Sequence, residues 1–148
     1  MIKSFRGQIA DGGQQRILLR TNTGETGYNI KKFKLFPVKP GGTNHVESVA
    51  QIWSVEQDPN DIPTTNPDVN FNSPTLLAVS YFVDEVNMAS GPLEQVIFDK
   101  VTVNQDIFIT HTEVNGSQAT NYYIELEQVK LDLNEATVAT LKDMRGRE

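Results

Sequence analysis

Two histidines, His45 and His111, supply all the imidazole in this chain, and there is no cysteine. A catalytic base or metal ligand needs partners at matching spacing. Neither His sits in an HExxH pattern or beside a nucleophile elbow. His111 alternates in phase with Ile107 and Ile109, so the expectation is a partly buried, hydrogen-bonded ring. Glu125 and Glu127 share a strand face. Paired glycosidase carboxylates flank a bound sugar at roughly 5–10 Å, among aromatics; two carboxylates at i and i+2 on an exposed face read instead as solvated groups or as partners for basic strands. Asp58, Asp61 and Asp68 could offer oxygens to Ca²⁺, but they match no EF-hand spacing, and Asp, Asn and Pro are ordinary turn residues. Asn115-Gly116-Ser117 fits a glycosylation acceptor, and without a signal peptide it reads as a turn. No Gly-rich phosphate loop, Walker-type lysine or dinucleotide fingerprint is present. The expectation is a non-enzyme with no metal, no cofactor and no small-molecule substrate.

Charge carries more information. Residues 1–40 hold eight Lys and Arg against Asp11 and Glu25, a net of +6, whereas residues 41–133 hold two cations against fourteen carboxylates, a net of −12. Residues 134–148 are neutral, and the whole chain is −6. Basic and acidic surfaces attract, so the two blocks either neutralise each other within one fold or meet between molecules. If the first three strands formed a meander, Arg6, Arg16, Arg20, Lys32 and Lys34 would stack positive charge on its non-core face. The alternative is ordinary cross-strand pairing with later acidic strands. Net negative charge disfavours nucleic acid as the main partner, because phosphate neutralisation drives that binding.

The elements that must position these groups read mostly as strands. Apolar residues recur at period two: Phe5 with Ile9, Ile17 with Leu19, Phe33 with Leu35, and Val49 with Trp53 and Val55. The run Leu76 to Val83, then Val96-Ile97-Phe98, Ile107 with Ile109, and Tyr122 with Ile124 and Leu126 complete the pattern. Such short alternating runs between Gly, Pro and Asn indicate about eight strands. Asp11-Gly12-Gly13 and Asn115-Gly116-Ser117 are hairpin signals. The fold class expected is all-β: a two-layer antiparallel sandwich, jelly-roll-like. Trp53 is expected to anchor its core. From Tyr122 to Leu133 the apolar phase changes, as a bulge near Glu127-Gln128 or an early helix would produce.

Residues 58–74 hold four prolines among four Asn and three Asp, so no regular element persists there. A loop this long is usually functional or mobile. Residues 85–93 form a shorter one. Asn134 caps a final helix, Glu135 to about Met144, whose narrow stripe of Val138, Leu141 and Met144 needs a surface to dock on. The division expected is a sandwich domain over 1–133 and a helical tail over 134–148. No run reaches the length of a membrane span, and the opening residues lack the apolar stretch of a secretory signal.

Ile107-Phe108-Ile109-Thr110-His111 through Asn121-Tyr122-Tyr123-Ile124-Glu125-Leu126-Glu127, with the ending from Asn134 to Gly146, resembles short structural proteins of marine tailed phages. The likeness covers about a third of the chain, and it includes no functional motif. It implies an accessory virion protein made in the host cytoplasm: a decoration or cement protein on a capsid, or a small tail or adaptor component. Its partners would be other virion proteins and copies of itself, through the basic face and the terminal helix. A ligand-binding sandwich, such as a carbohydrate-binding module, is the alternative. It would use the 58–74 loop and aromatics such as Tyr81, Phe82, Tyr122 and Tyr123.

Overall fold

The computed structural model describes residues 1–19, 25–40, 45–84, 93–98 and 102–131. Within them lie nine strands: β1 (Ile2–Ile9), β2 (Gln14–Ile17), β3 (Thr26–Pro37), β4 (Val46–Trp53), β5 (Leu76–Asp84), β6 (Leu93–Ile97), β7 (Thr102–Val103), β8 (Ile107–Glu113) and β9 (Thr120–Lys130). They form two antiparallel sheets, ordered β1-β9-β3-β7 and β2-β8-β4-β5-β6. The expected sandwich is therefore present. Arg20 and the terminal helix with Val138, Leu141 and Met144 lie outside the described residues, as does the division at 133/134.

The pairing is concentric. β1 pairs with β9, β2 with β8, β3 with β7 and β4 with β5. Successive pairs go to alternate sheets, which is the winding of a jelly roll, and β6 adds a strand beside β5. Two corrections follow. Strands one to three do not form a meander: β9 lies between β1 and β3, and β2 belongs to the other sheet. The Asp11-Gly12-Gly13 and Asn115-Gly116-Ser117 turns are not hairpins either, since each carries the chain from one sheet to the other. Turn residues permit a reversal, and Gly12 does take a positive φ of 74°. They do not decide which strand the next one hydrogen-bonds.

The core lies between the sheets. Phe33, Ile52, Ile107, Ile109, Ile124 and Leu126 are fully buried there, each contributing about 1.5–3 kcal/mol by leaving water. Gly7 belongs to this layer because the Tyr122 ring lies over it; a Cβ at Gly7 would sit 2.8 Å from the Tyr122 hydroxyl. That hydroxyl donates to Gln15 Oε1 at 2.7 Å, tying β9 to β2 across the sandwich.

The bulge expected near Glu127-Gln128 is absent: β9 pairs there in unbroken register, and the irregularity of this ladder lies in β3. β9 continues as a strand to Lys130, whereas β3 carries an extra residue: Ile30 faces Leu126 and Lys32 faces Glu125, leaving Lys31 between them. Ahead of this bulge Tyr28 and Ile30 point inward, and beyond it Phe33 and Leu35 do.

The second sheet is covered on both faces, which is why β8 is buried throughout and β5 reads as an apolar run. Val49, Leu76 and Val79 form a second cluster with Trp53, Tyr81 and Phe98. Segment 54–75 crosses this outer face, with one 3-10 turn at Pro59–Asp61. Its backbone is fastened by the Thr112 hydroxyl donating to Pro63 O (2.7 Å), Gln51 to Asp68 O (3.3 Å) and a reciprocal Gln14–Gln57 pair. Trp53 accordingly anchors this outer cluster, half-buried, with its Nε1 donating to Thr110 Oγ1 at 3.0 Å.

Candidate partner-binding face

The outer face of the β1-β9-β3 sheet gathers most of the predicted cations. Pairing puts Arg6, Tyr123 and Lys34 in one row, Gln8, Asn121 and Phe36 in the next, and Ser4, Glu125 and Lys32 on the other side. Side chains at period two share a face, so these three rows form one continuous surface. Phe36 is 61% exposed and Tyr123 38%. Arg6, Gln8, Lys34, Phe36, Asn121 and Tyr123 border a shallow concavity of about 720 Å³.

Neutralisation is uneven. Lys32 Nζ lies 3.1 Å from Glu125 and Lys31 Nζ 3.0 Å from Glu127, so both carboxylates of that strand face serve as partners for basic side chains. Arg16, in the other sheet, donates its Nε to Asp106 Oδ2 at 2.8 Å, and its Nη2 lies 2.6 Å from the same oxygen. Asp106 is 2% exposed, and its Oδ1 accepts the Leu19 N–H at 3.0 Å. Among the described residues Arg6 and Lys34 make no ion pair. They stand on either side of β9, with Cα atoms about 10 Å apart at normal strand spacing, separated by the Tyr123 ring. Two cations flanking exposed aromatics can accept two carboxylates while covering apolar surface.

The aromatics named for a sugar platform do not assemble. Phe82 and Tyr122 are buried in the core, Tyr81 donates its hydroxyl to Glu47 Oε1 at 2.6 Å, and only Tyr123 of the four is exposed. Burial and that carboxylate push the Tyr81 hydroxyl up to about 12. Sequence reasoning missed Gln8 and Asn121, whose side chains meet at 3.3 Å. Strands far apart in the chain bring them together, so no local signal could have found them.

His111 is buried, as its phase suggested. Its Nδ1 lies 3.2 Å from Ala10 O and its Nε2 3.1 Å from Ser48 Oγ. A carbonyl only accepts, so Nδ1 carries the proton and Nε2 accepts from the serine hydroxyl. Burial lowers the ring's pKa, opposed by the carboxylates of Asp11 and Glu113. The Ser48 hydroxyl is sealed in the interior, so this contact is structural and presents no nucleophile. No family model, curated protein or solved structure matches the chain.

Proposed function

We propose that this protein is a non-enzymatic structural component of a virion, a decorating or cementing protein that docks its β1-β9-β3 face on acidic protein surface. The observation that carries the reading is the row Arg6–Tyr123–Lys34 beside Phe36: two cations without internal partners among the described residues, framing exposed aromatics. Arg and Tyr are the residues around which protein interfaces concentrate binding energy. The likeness of residues 107–127 to marine phage structural proteins supports it. So does the jelly-roll winding, which recurs in viral capsid domains, although a fold alone does not assign function. Copies of this chain can supply the acidic surface themselves, since residues 41–133 carry a net −12. Many weak contacts over an array would then give firm attachment.

The test is light scattering of the full chain across a salt series, with the double variant Arg6→Glu/Lys34→Glu beside it. The reading predicts concentration-dependent association at low salt that fades as the Debye length falls below about 10 Å and that is absent in the variant. Association indifferent to both salt and charge reversal, or none at low salt, counts against it.

One observation favours a second reading, carbohydrate binding on the same face. The Gln8–Asn121 amides stand beside Phe36 and Tyr123 in the concavity, as amide donors stand beside a sugar-stacking ring. Glycan-array binding lost in Phe36→Ala, and kept in the charge-reversal variant at high salt, would select it.

A further inference from the structure

Glu113 ends β8 inside the mouth of the sandwich and is 1% exposed. Its Oε1 accepts two backbone N–H groups, Glu47 at 3.0 Å and Asn115 at 3.2 Å. Its Oε2 is buried with no hydrogen-bond partner, and so is Oε1 of Gln118 in the following corner. Both side chains line one concavity of about 420 Å³, together with His45, Val46 and the turn residues Asn115 to Ser117. Gly116 forms part of its wall. A Cβ there would lie 3.1 Å from Glu113 Oε2, so glycine keeps that face of the carboxylate open.

Two buried acceptors whose side chains line one space cannot satisfy each other. No described Lys or Arg pairs with Glu113. A second carboxylate, Asp11, accepts the Glu113 backbone N–H at 2.8 Å and does not line the concavity. Buried charges in proteins are paired or hold metals. The geometry points to a calcium site at the β8–β9 corner, with Glu113 Oε2 and Gln118 Oε1 as protein ligands and water filling the remaining positions. An all-oxygen set with a neutral amide suits a hard cation, and the irregular geometry suits Ca²⁺ better than Mg²⁺. Among the described residues no group of three acidic or imidazole side chains converges as a metal cluster. One carboxylate therefore carries the charge, and affinity falls in the weak range of about 10⁻⁴–10⁻³ M.

Calorimetric titration of the full chain with calcium chloride, and thermal unfolding in chelator against calcium, test this. Magnesium chloride at equal ionic strength is the control for screening. Wild type takes up one Ca²⁺, and its melting temperature rises saturably by several degrees at about 10 mM, well above that affinity range. Glu113→Gln replaces the Oε2 acceptor with an N–H₂ donor. It loses the calcium response, yet in chelator melts no lower than wild type. Gln118→Ala, at a partly buried position of the corner, weakens calcium binding several-fold and serves if the Glu113 variant does not fold. No saturable heat in wild type, a calcium response retained in Glu113→Gln, or equal responses to magnesium would overturn the site and leave water as the bridge between the two oxygens.

Discussion

Arg16 and Lys32 both belong to the basic front of the chain, and the fold uses them differently. Arg16 satisfies a carboxylate that is 2% exposed; Lys32 meets Glu125 in a row open to solvent. Removing a partner from a buried charged group costs about 1–3 kcal/mol, whereas an exposed pair is worth about 0–1 kcal/mol. Urea unfolding should accordingly rank Arg16→Ala as the more damaging change, with Lys32→Ala near wild type. Acid sensitivity has its own local source. The folded state keeps His111 neutral below its ordinary 6.5, so the unfolded chain binds the extra proton first. The contribution of His111 is complete above pH 6.5 and declines as pH falls toward the folded-state value. Asp11 acts with the opposite sign. Burial raises it from 3.8, so its contribution is complete below 3.8 and is lost as pH rises through the raised value. Between pH 7 and 5 stability should fall in wild type and fall less in His111→Gln, as read from urea midpoints at each pH.

At the scale of elements, the bulge at Lys31 is the feature on which the longest strand depends. It switches β3 from even to odd inward positions, so Tyr28 and Phe33 can both be buried. Deleting Lys31 would turn one half of the strand inside out, exposing either Tyr28 or Phe33 with Leu35. Loss of a large aromatic from a core costs about 3–5 kcal/mol. The deletion should therefore abolish cooperative thermal unfolding, while Lys31→Ala, which keeps the count, should shift the midpoint only slightly. Strand positions were legible in the sequence because Phe33, Leu35, Ile107, Ile109, Ile124 and Leu126 alternate in clean period two. The β3 bulge was not read from the sequence: the conflict between Ile124-Leu126 and Val129-Leu131 drew the expectation to β9, where the register is unbroken, and the shift from Ile30 to Phe33 passed unnoticed. Trp53 was misplaced for a related reason. A one-faced strand pattern does not reveal that segment 54–75 crosses the other face of the sheet.

For the whole molecule, winding explains where the charge goes. Concentric pairing brings the last strand between the first and third, so Glu125 and Glu127 land among the cations at the front of the chain. Part of the +6 block is thereby neutralised within the fold: Lys31, Lys32 and Arg16 find carboxylates far away in sequence. Of the described cations left without an ion pair, Arg6 and Lys34 flank Tyr123, whereas Lys3 lies over the Tyr28 ring and Lys39 is exposed beyond β3. Segregated charge was legible from composition, whereas which cations meet a carboxylate depended on strand order, which no local pattern encodes. Glu113 and Gln118, whose types gave no hint of a shared site, line one concavity at the β8–β9 corner. The direct measurement of the proposed docking is a density map of this protein bound to its partner assembly. The β1-β9-β3 face should be covered there, with Arg6 and Lys34 within about 4 Å of a neighbour's carboxylates. A map in which that face is bathed in solvent while another surface of the sandwich makes the contacts would contradict the account.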